Sequence, residues 1–401
     1  MIILVLNCGS SSIKYQLFDM EGEAKILAKG LVERIGISGS ALTHKPVGKD
    51  PYKVENIDIP DHTVGIDLVM KALCDPVHGV IKDVNEIDAV GHRVLNGGTY
   101  GESVLVDDNV IKEIKDCIPI VPLHNPGALK GILSARELMP NTPQVSVFDT
   151  SFHQTMPDYA YMYALPYEYY GKYKMRKYGY HGTSHKFVSR KAAEILGKDV
   201  KELKTITCHL GNGASIAAVK YGKVIDTSMG FTPTDGLYMG TRVGTIDPGA
   251  VNYIAEKENL SPREVETLIM KQSGMLGVSG VSSDMRDLDV AASEGNERAI
   301  LALKMYAYRV KSYIGSYFAA MNGLDVVLFT GGIGENDYKM RSMVCKDREN
   351  LGIIFDEEAN YGVRGKDVIL SKPESKVTVM CVTTDEELLI ATDTKAIVEK
   401  L

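Results

Sequence analysis

The chain has 401 residues, and roughly 150 residues per domain predicts two or three domains. With 24% charged and 44% hydrophobic residues it has an ordinary globular composition, which excludes a disordered, collagenous or coiled-coil chain. The 45 Lys and Arg against 52 Asp and Glu give a net charge of −7; the only dense basic stretch is Lys172, Lys174, Arg176 and Lys177, so no nucleic-acid footprint is expected.

In chain order, Ile2–Leu6 reads as a buried strand broken by the turn Asn7–Ser12, and Ile13–Phe18 resumes a strand. That first apolar run, like Val326–Phe329, is far short of the roughly 20 residues of a membrane span. No charged segment precedes it, so no secretory signal is expected. Ile87–Gly91 predicts a strand followed by His92 and Arg93. Helix formers fill Asp108–Asp116 and Pro126–Leu138, and the strand Gln144–Phe148 leads to Asp149. Ser184–Leu196 is an amphipathic helix, with Gly182 and Thr183 as a loop running into Ser184 as its cap. Thr205–Leu210, the turn Gly211-Asn212-Gly213, Ala214–Val219 and a turn at Tyr221-Gly222-Lys223 repeat the opening strand–turn–strand theme.

Ser261-Pro262-Arg263-Glu264 predicts a helix start, with Ser as cap, Pro first in the helix and Glu closing a capping box. Glu294–Met321 reads as a long helical region. Thr384-Asp385-Glu386-Glu387 resembles a capping box opening a final helix, Glu386–Lys400. Alternating strands and helices predict an α/β fold, and the repeated theme suggests two related halves. The cysteines, Cys8, Cys74, Cys117, Cys208, Cys345 and Cys381, are scattered without a CxxC pair. That is neither a disulfide framework nor a zinc ribbon, and a reducing cytoplasm is the expected location.

Three Gly-rich turns follow strands: Asn7–Ser12, Gly211–Gly213 and Gly331–Asn336. Glycines there let backbone N–H groups approach an anion. None fits GxxxxGK[ST], and the first two lead into strands, against a dinucleotide fingerprint. Together they suggest a nucleotide held between two lobes. Arg93 and Arg242 lie among Gly and apolar residues, and their forks match phosphate or carboxylate oxygens. His181 and His185 are spaced i, i+4 but lack the glutamate of HExxH, so an anion-facing loop closed by Ser184 is favoured over a metal site. Asp149 has the strand-end position used by α/β sites.

The segments LNCGSSSIKY (Leu6–Tyr15), HRVLNGG (His92–Gly98), PLHNP (Pro122–Pro126), FDTSFH (Phe148–His153) and YGYHGTSH (Tyr178–His185) resemble the acetate kinase family. So do HLGNGAS (His209–Ser215), MGTRVGTIDPG (Met239–Gly249), SSDMRD (Ser282–Asp287), FTGGIGEN (Phe329–Asn336) and TDEEL (Thr384–Leu388). The resemblance implies reversible phosphoryl transfer from ATP to acetate by direct in-line displacement, giving ADP and acetyl phosphate. Mg²⁺ (with Mn²⁺ as an alternative) would serve as cofactor. It implies two related actin-like, ribonuclease H-like α/β domains with a nucleotide cleft between them: 1–148 plus 386–401, and 149–385. A cytoplasmic homodimer follows, with no nucleic-acid or membrane partner.

Carried over by motif, Asn7 and Glu386 correspond to magnesium residues and Lys14 to a nucleotide contact. His209, Leu210, Gly211, Asn212 and Gly213, then Asp284, Met285 and Arg286, then Gly332, Ile333, Gly334, Glu335 and Asn336 correspond to the ATP-binding segments. Arg93 corresponds to the substrate-binding arginine, Asp149 to the acid/base residue, and His181 and Arg242 to transition-state stabilisers. Leu95, Leu123, Tyr180 and Pro233 match the acyl-methyl pocket. A carboxylate acceptor is already ionised at pH 7, so positioning and charge neutralisation should dominate over base catalysis, and Asp149 is expected to orient the substrate or hold a metal-bound water rather than to act as an obligate base. Departures from the family pattern are Leu95 for Val, Asn96 for His, Tyr180 for Phe and Thr245 for Asp. Two other readings are a propionate or other short-chain acyl kinase, and an actin- or chaperone-like ATPase that would leave Arg93, His181 and Arg242 unexplained.

Overall fold

The computed structural model describes all 401 residues. The chain forms two compact units, Met1–Gln154 with Asp385–Leu401, and Thr155–Thr384. Unit 1 is built on β1 (Ile2–Cys8), β2 (Ser12–Asp19), β3 (Lys25–Glu33), β4 (Ser40–Pro46), β5 (Tyr52–Ile57), β6 (Ala89–Val94), β7 (Val104–Leu105) and β8 (Gln144–Phe148). They lie in the order β5-β4-β3-β2-β1-β6-β8-β7. β1 and β2 pair antiparallel from Ile2↔Asp19 to Cys8↔Ile13, while β1–β6 and β6–β8 are parallel.

Unit 2 carries β9 (Lys204–Leu210), β10 (Ala214–Lys220), β11 (Lys223–Thr227), β12 (Val326–Thr330), β13 (Val368–Ile369) and β14 (Thr378–Cys381), ordered β11-β10-β9-β12-β14-β13. Three antiparallel strands, two parallel ones and a two-residue antiparallel edge strand thus recur in one order in each unit. Unit 1 adds β4 and β5 beyond that shared plan.

Helices cover the faces. In unit 1, His62–Leu73 and Asn125–Leu138 bury Ile66, Val69 and Ala135 against Leu4, Leu6 and Tyr15. The opposite face receives Ile390 and Ala391 of the C-terminal helix Glu386–Val398, which pack on Ile3, Val5 and Val147. Gly91 of β6 allows that docking, since a Cβ there would lie 2.5 Å from Thr394 Oγ1 and 2.7 Å from Ile390 Cγ2. In unit 2, Val188, Ala192 and Ala193 of the helix Gly182–Ile195 pack on Val326, Leu328 and Met380. Each Val, Leu, Ile or Met among these contributes roughly 1.5–3 kcal/mol when fully buried.

Several boundaries differ from the sequence reading. β1 runs on through Asn7 and Cys8, because pairing with Lys14 and Ile13 overrides their weak strand preference. β6 includes His92 and Arg93, which pair with Ser146 and Val147. The helix expected from Ser184 starts at Gly182, so Ser184 is not its cap; His181 is the N-cap residue, in the left-handed region at φ 57°. Gly331–Asn336 is a short helix directly after β12 rather than a turn. The final helix is capped by Asp385, whose side chain accepts from the Leu388 N–H, and not by Thr384. The long helix begins at Glu297 with Asn296 as its cap.

Candidate active site

In unit 1 the parallel pairing of β6 with β8 puts Arg93 opposite Val147, two residues before Asp149. The Asp149 N–H donates to Val94 O at 2.9 Å, which fixes the strand end. Arg93 then grips the Asp149 carboxylate with Nη2 at 2.8 Å and Nε at 3.3 Å. Nη2 is also 3.0 Å from Glu386 Oε2, so the first residue of the C-terminal helix joins the pair. Asp149 is 0% exposed. Burial alone would lower the Arg93 pKa, but the charges of Asp149 and Glu386 outweigh it and raise the pKa, so the guanidinium stays cationic. Burial pushes the neighbouring Glu387 carboxyl upward, and the charges of Glu386 and Asp385 add to the shift.

Asn7 sits near the end of β1 opposite Lys14, which is exposed. After β6 the chain is pinned by a buried amide pair. Asn125 Nδ2 donates to Asn96 O at 2.9 Å, the Asn96 N–H donates to Asn125 Oδ1 at 3.2 Å, and Asn96 Oδ1 accepts from the Gly98 N–H at 2.8 Å. Leu95 just before it is half-buried, whereas Leu123 is 49% exposed.

In unit 2 a chain of side-chain hydrogen bonds surrounds His181. Its Nδ1 is 2.9 Å from Ser215 Oγ, which is 2.7 Å from His185 Nε2; His185 Nδ1 is 2.6 Å from Thr207 Oγ1. A second chain runs from His209 Nδ1 to Ser184 Oγ at 2.8 Å and on to Thr384 Oγ1 at 2.9 Å. The His181 and His209 rings are 4.3 Å apart. A Cβ on Gly213 would lie 3.5 Å from His181 Nε2 and 3.7 Å from Arg242 Nη1, so the turn after β9 runs alongside both groups. Arg242 Nη1 donates to Pro233 O at 2.9 Å and faces Met239 Sδ at 3.8 Å, with no carboxylate partner. Burial lowers its pKa. A guanidinium so placed is available to an anion. The left-handed backbone at His181 is strain of the kind that collects at functional sites.

The turn Gly211–Asn212, the segment Asp284–Arg286 and the helix residues Gly332, Ile333 and Asn336 line one cavity of about 730 Å³. Nucleotide candidates from three separate motifs therefore share a wall in unit 2. The cavity also takes in Asp289, Lys339 and Arg364, which lie outside the motifs; Lys339 Nζ is 3.2 Å from Asp289 Oδ2. Glu335 turns its carboxylate back, and Oε1 accepts from Thr330 Oγ1 (3.1 Å) and from the N–H groups of Gly331 (3.0 Å) and Thr384 (3.1 Å). Tyr180 is buried, its hydroxyl donating to Phe231 O at 2.6 Å. Leu95 and Leu123 thus belong to unit 1, while Tyr180 and Pro233 belong to unit 2. Thr245 Oγ1 donates to Asp235 Oδ1 at 2.8 Å. Ser184 and Thr384 stand out in the sequence only as helix caps and Ser215 only as a motif member; their hydrogen bonds to His209, His181 and His185 arise from what the fold puts beside them.

Residues 2–392 match the acetokinase family. The chain is similar to acetate kinase of Thermoanaerobacter pseudethanolicus, 57% identical over all of both chains. Among solved structures it resembles Porphyromonas gingivalis acetate kinase, 51% identical with a TM-score of 0.95 over 99% of both chains. It also resembles a propionate kinase from Francisella tularensis, 40% identical with a TM-score of 0.90 over 99% of both.

Proposed function

The chain belongs to the acetokinase family, and from that premise we propose that it transfers the terminal phosphoryl group of ATP to acetate, reversibly and in line, giving ADP and acetyl phosphate. The observation that carries the reading furthest is Arg242, a partly buried cation beside His181 and Gly213 with no carboxylate to neutralise it. The obstacle in this reaction is the approach of two anions, and such a cation offsets it where charge collects on the transferring group. Unit 1 supplies Arg93 for the acceptor carboxylate. Asp149 is already ion-paired with it and fully buried, which favours an orienting part over that of a base.

Asn7 and Glu386 are hard oxygen donors, and Glu386 with Asp149 gives two carboxylates to one guanidinium. That donor set and its excess negative charge fit Mg²⁺, which is held by a few carboxylates together with substrate phosphates. When bound, the ion would neutralise phosphate charge; Asn7 and Glu386 are the residues that would hold it. The 730 Å³ cavity supports a nucleotide held by Gly211, Asn212, Asp284–Arg286, Gly332, Ile333 and Asn336. A cytoplasmic homodimer extends the same reading. No helix is long and apolar enough to cross a membrane.

Coupled measurement of ADP release tests the proposal. Release that depends strictly on acetate is expected; equal release without any carboxylic acid would favour the ATPase reading instead. Because one structural relative is a propionate kinase, propionate belongs in the same series.

A further inference from the structure

By resemblance His181 is a transition-state stabiliser, and its Nε2 lies along the Gly213 turn that also meets Arg242; this inference rests on the function proposed above. What holds the ring is a buried relay. His185, Thr207 and Ser215 are each 0% exposed, so their hydrogen bonds do not compete with bulk water. The direction of the relay follows from its far end. Thr207 Oγ1 lies 3.4 Å from the carbonyl oxygen of Ala217, which can only accept. With the single Thr207 hydroxyl proton turned to that carbonyl, Thr207 accepts from His185 Nδ1–H at 2.6 Å. Full burial favours the uncharged imidazole, and a neutral His185 then presents Nε2 as an acceptor for the Ser215 hydroxyl. With its proton given to His185, Ser215 Oγ can only accept from His181, whose proton therefore sits on Nδ1.

We propose that Ser215 is a positioning residue that, backed by His185 and Thr207, holds His181 in the Nδ1–H tautomer and turns Nε2 toward the Gly213–Arg242 wall. This is the less common form of imidazole in water; the partner at one ring nitrogen decides what the other can do. A proton added to His181 then goes to Nε2, on the edge beside Arg242, and leaves the relay unbroken. His209, 4.3 Å away, is held by a separate chain through Ser184 and Thr384.

Ring ¹⁵N shifts of the full-length, histidine-labelled protein read the tautomer directly, with His181 assigned by comparison with His181→Gln and spectra taken where the ring is neutral. The expected result is a protonated Nδ1 and a bare Nε2 in the wild type. In Ser215→Ala that preference should be lost, and kcat should fall about 10–100-fold, the usual cost of removing an outer support of a functional histidine, with the KM values for ATP and acetate unchanged. A wild-type proton on Nε2, or a His181 signature identical in wild type and Ser215→Ala, would overturn the proposal. Should Ser215→Ala not fold, the wild-type spectrum and Thr207→Val, which cuts the relay at its far end, decide the matter in the same way. Full activity in His181→Gln would instead strike at the catalytic reading of His181, a result separable from the tautomer itself.

Discussion

Arg93 and Arg242 differ in the company they keep. Arg93 is locked by Asp149 and Glu386, while Arg242 touches only a carbonyl and a sulfur. Removing Arg242 leaves no buried carboxylate stranded, so Arg242→Ala should fold and lose on the order of 10³-fold in kcat, as for other arginines that neutralise a transferring phosphoryl group. Steady-state kinetics on a variant with normal circular dichroism checks this; near-normal kcat would remove Arg242 from the mechanism. Leu95 is half-buried beside the pinned loop, and if it bounds the acyl site its truncation to Ala should shift kcat/KM from acetate toward propionate. One methylene in an apolar pocket is worth roughly 10–200-fold in discrimination. An unchanged ratio with a loss of roughly 2–5 kcal/mol in stability would make it a packing residue only. His92 behaves differently again. Its Nε2 lies 2.6 Å from Gln144 Oε1, and burial lowers its pKa from 6.5 to about 4. Below pH 6.5 the unfolded chain takes up a proton that the folded one refuses until about pH 4, so stability drops as the pH is lowered through that window, by roughly 3 kcal/mol. Urea unfolding at both ends of the window should show that slope in the wild type and lack it in His92→Gln; equal slopes would contradict the assignment.

Elements whose ends carry their own chemistry are legible in the amino-acid sequence. Ser261 and Glu264 form the expected capping box, with Glu264 Oε2 accepting from the Ser261 N–H at 2.8 Å. The helix Asp108–Asp116 and the strand Gln144–Phe148 stand at the residues their patterns indicate. Elements whose ends depend on a partner are not legible in this way. Asn7 reads as part of a turn and His92 and Arg93 as residues past the strand end because nothing local reveals the strand beside them, and Thr384 has the pattern of a cap although Asp385 takes that place. Individual site residues follow the same division: charged groups in Gly-rich motifs stand out, whereas the hydroxyl relay through Ser215 exists only in three dimensions. The helix Asn125–Leu138 illustrates how an element serves the site. A Cβ on Gly127 would lie 2.5 Å from Gly9 O, so the helix packs directly on the backbone of the Gly9 turn. Gly127→Ala should therefore cost about 1–3 kcal/mol through overpacking and raise the KM for ATP by displacing that turn. A melting curve and ATP titration like those of the wild type would show the contact to be slack.

At the scale of the whole molecule, six strands recur in the same order in each unit, with identical pairing senses, which points to two copies of one plan on which β4 and β5 are an addition to unit 1. The motifs divide between the copies: unit 1 holds Arg93, Asp149, Asn7 and Glu386, and unit 2 holds His181, Arg242 and the nucleotide cavity. Such a division suits a reaction between two separately bound anions, one a small carboxylate and the other a nucleotide. The measurement that bears most directly on this account is hydroxylamine trapping of the product formed with ATP, Mg²⁺ and acetate. The account predicts acetyl hydroxamate in amounts matching the ADP released, with acetate used more efficiently than propionate or butyrate. ADP released with no hydroxamate from any of the three acids would contradict it.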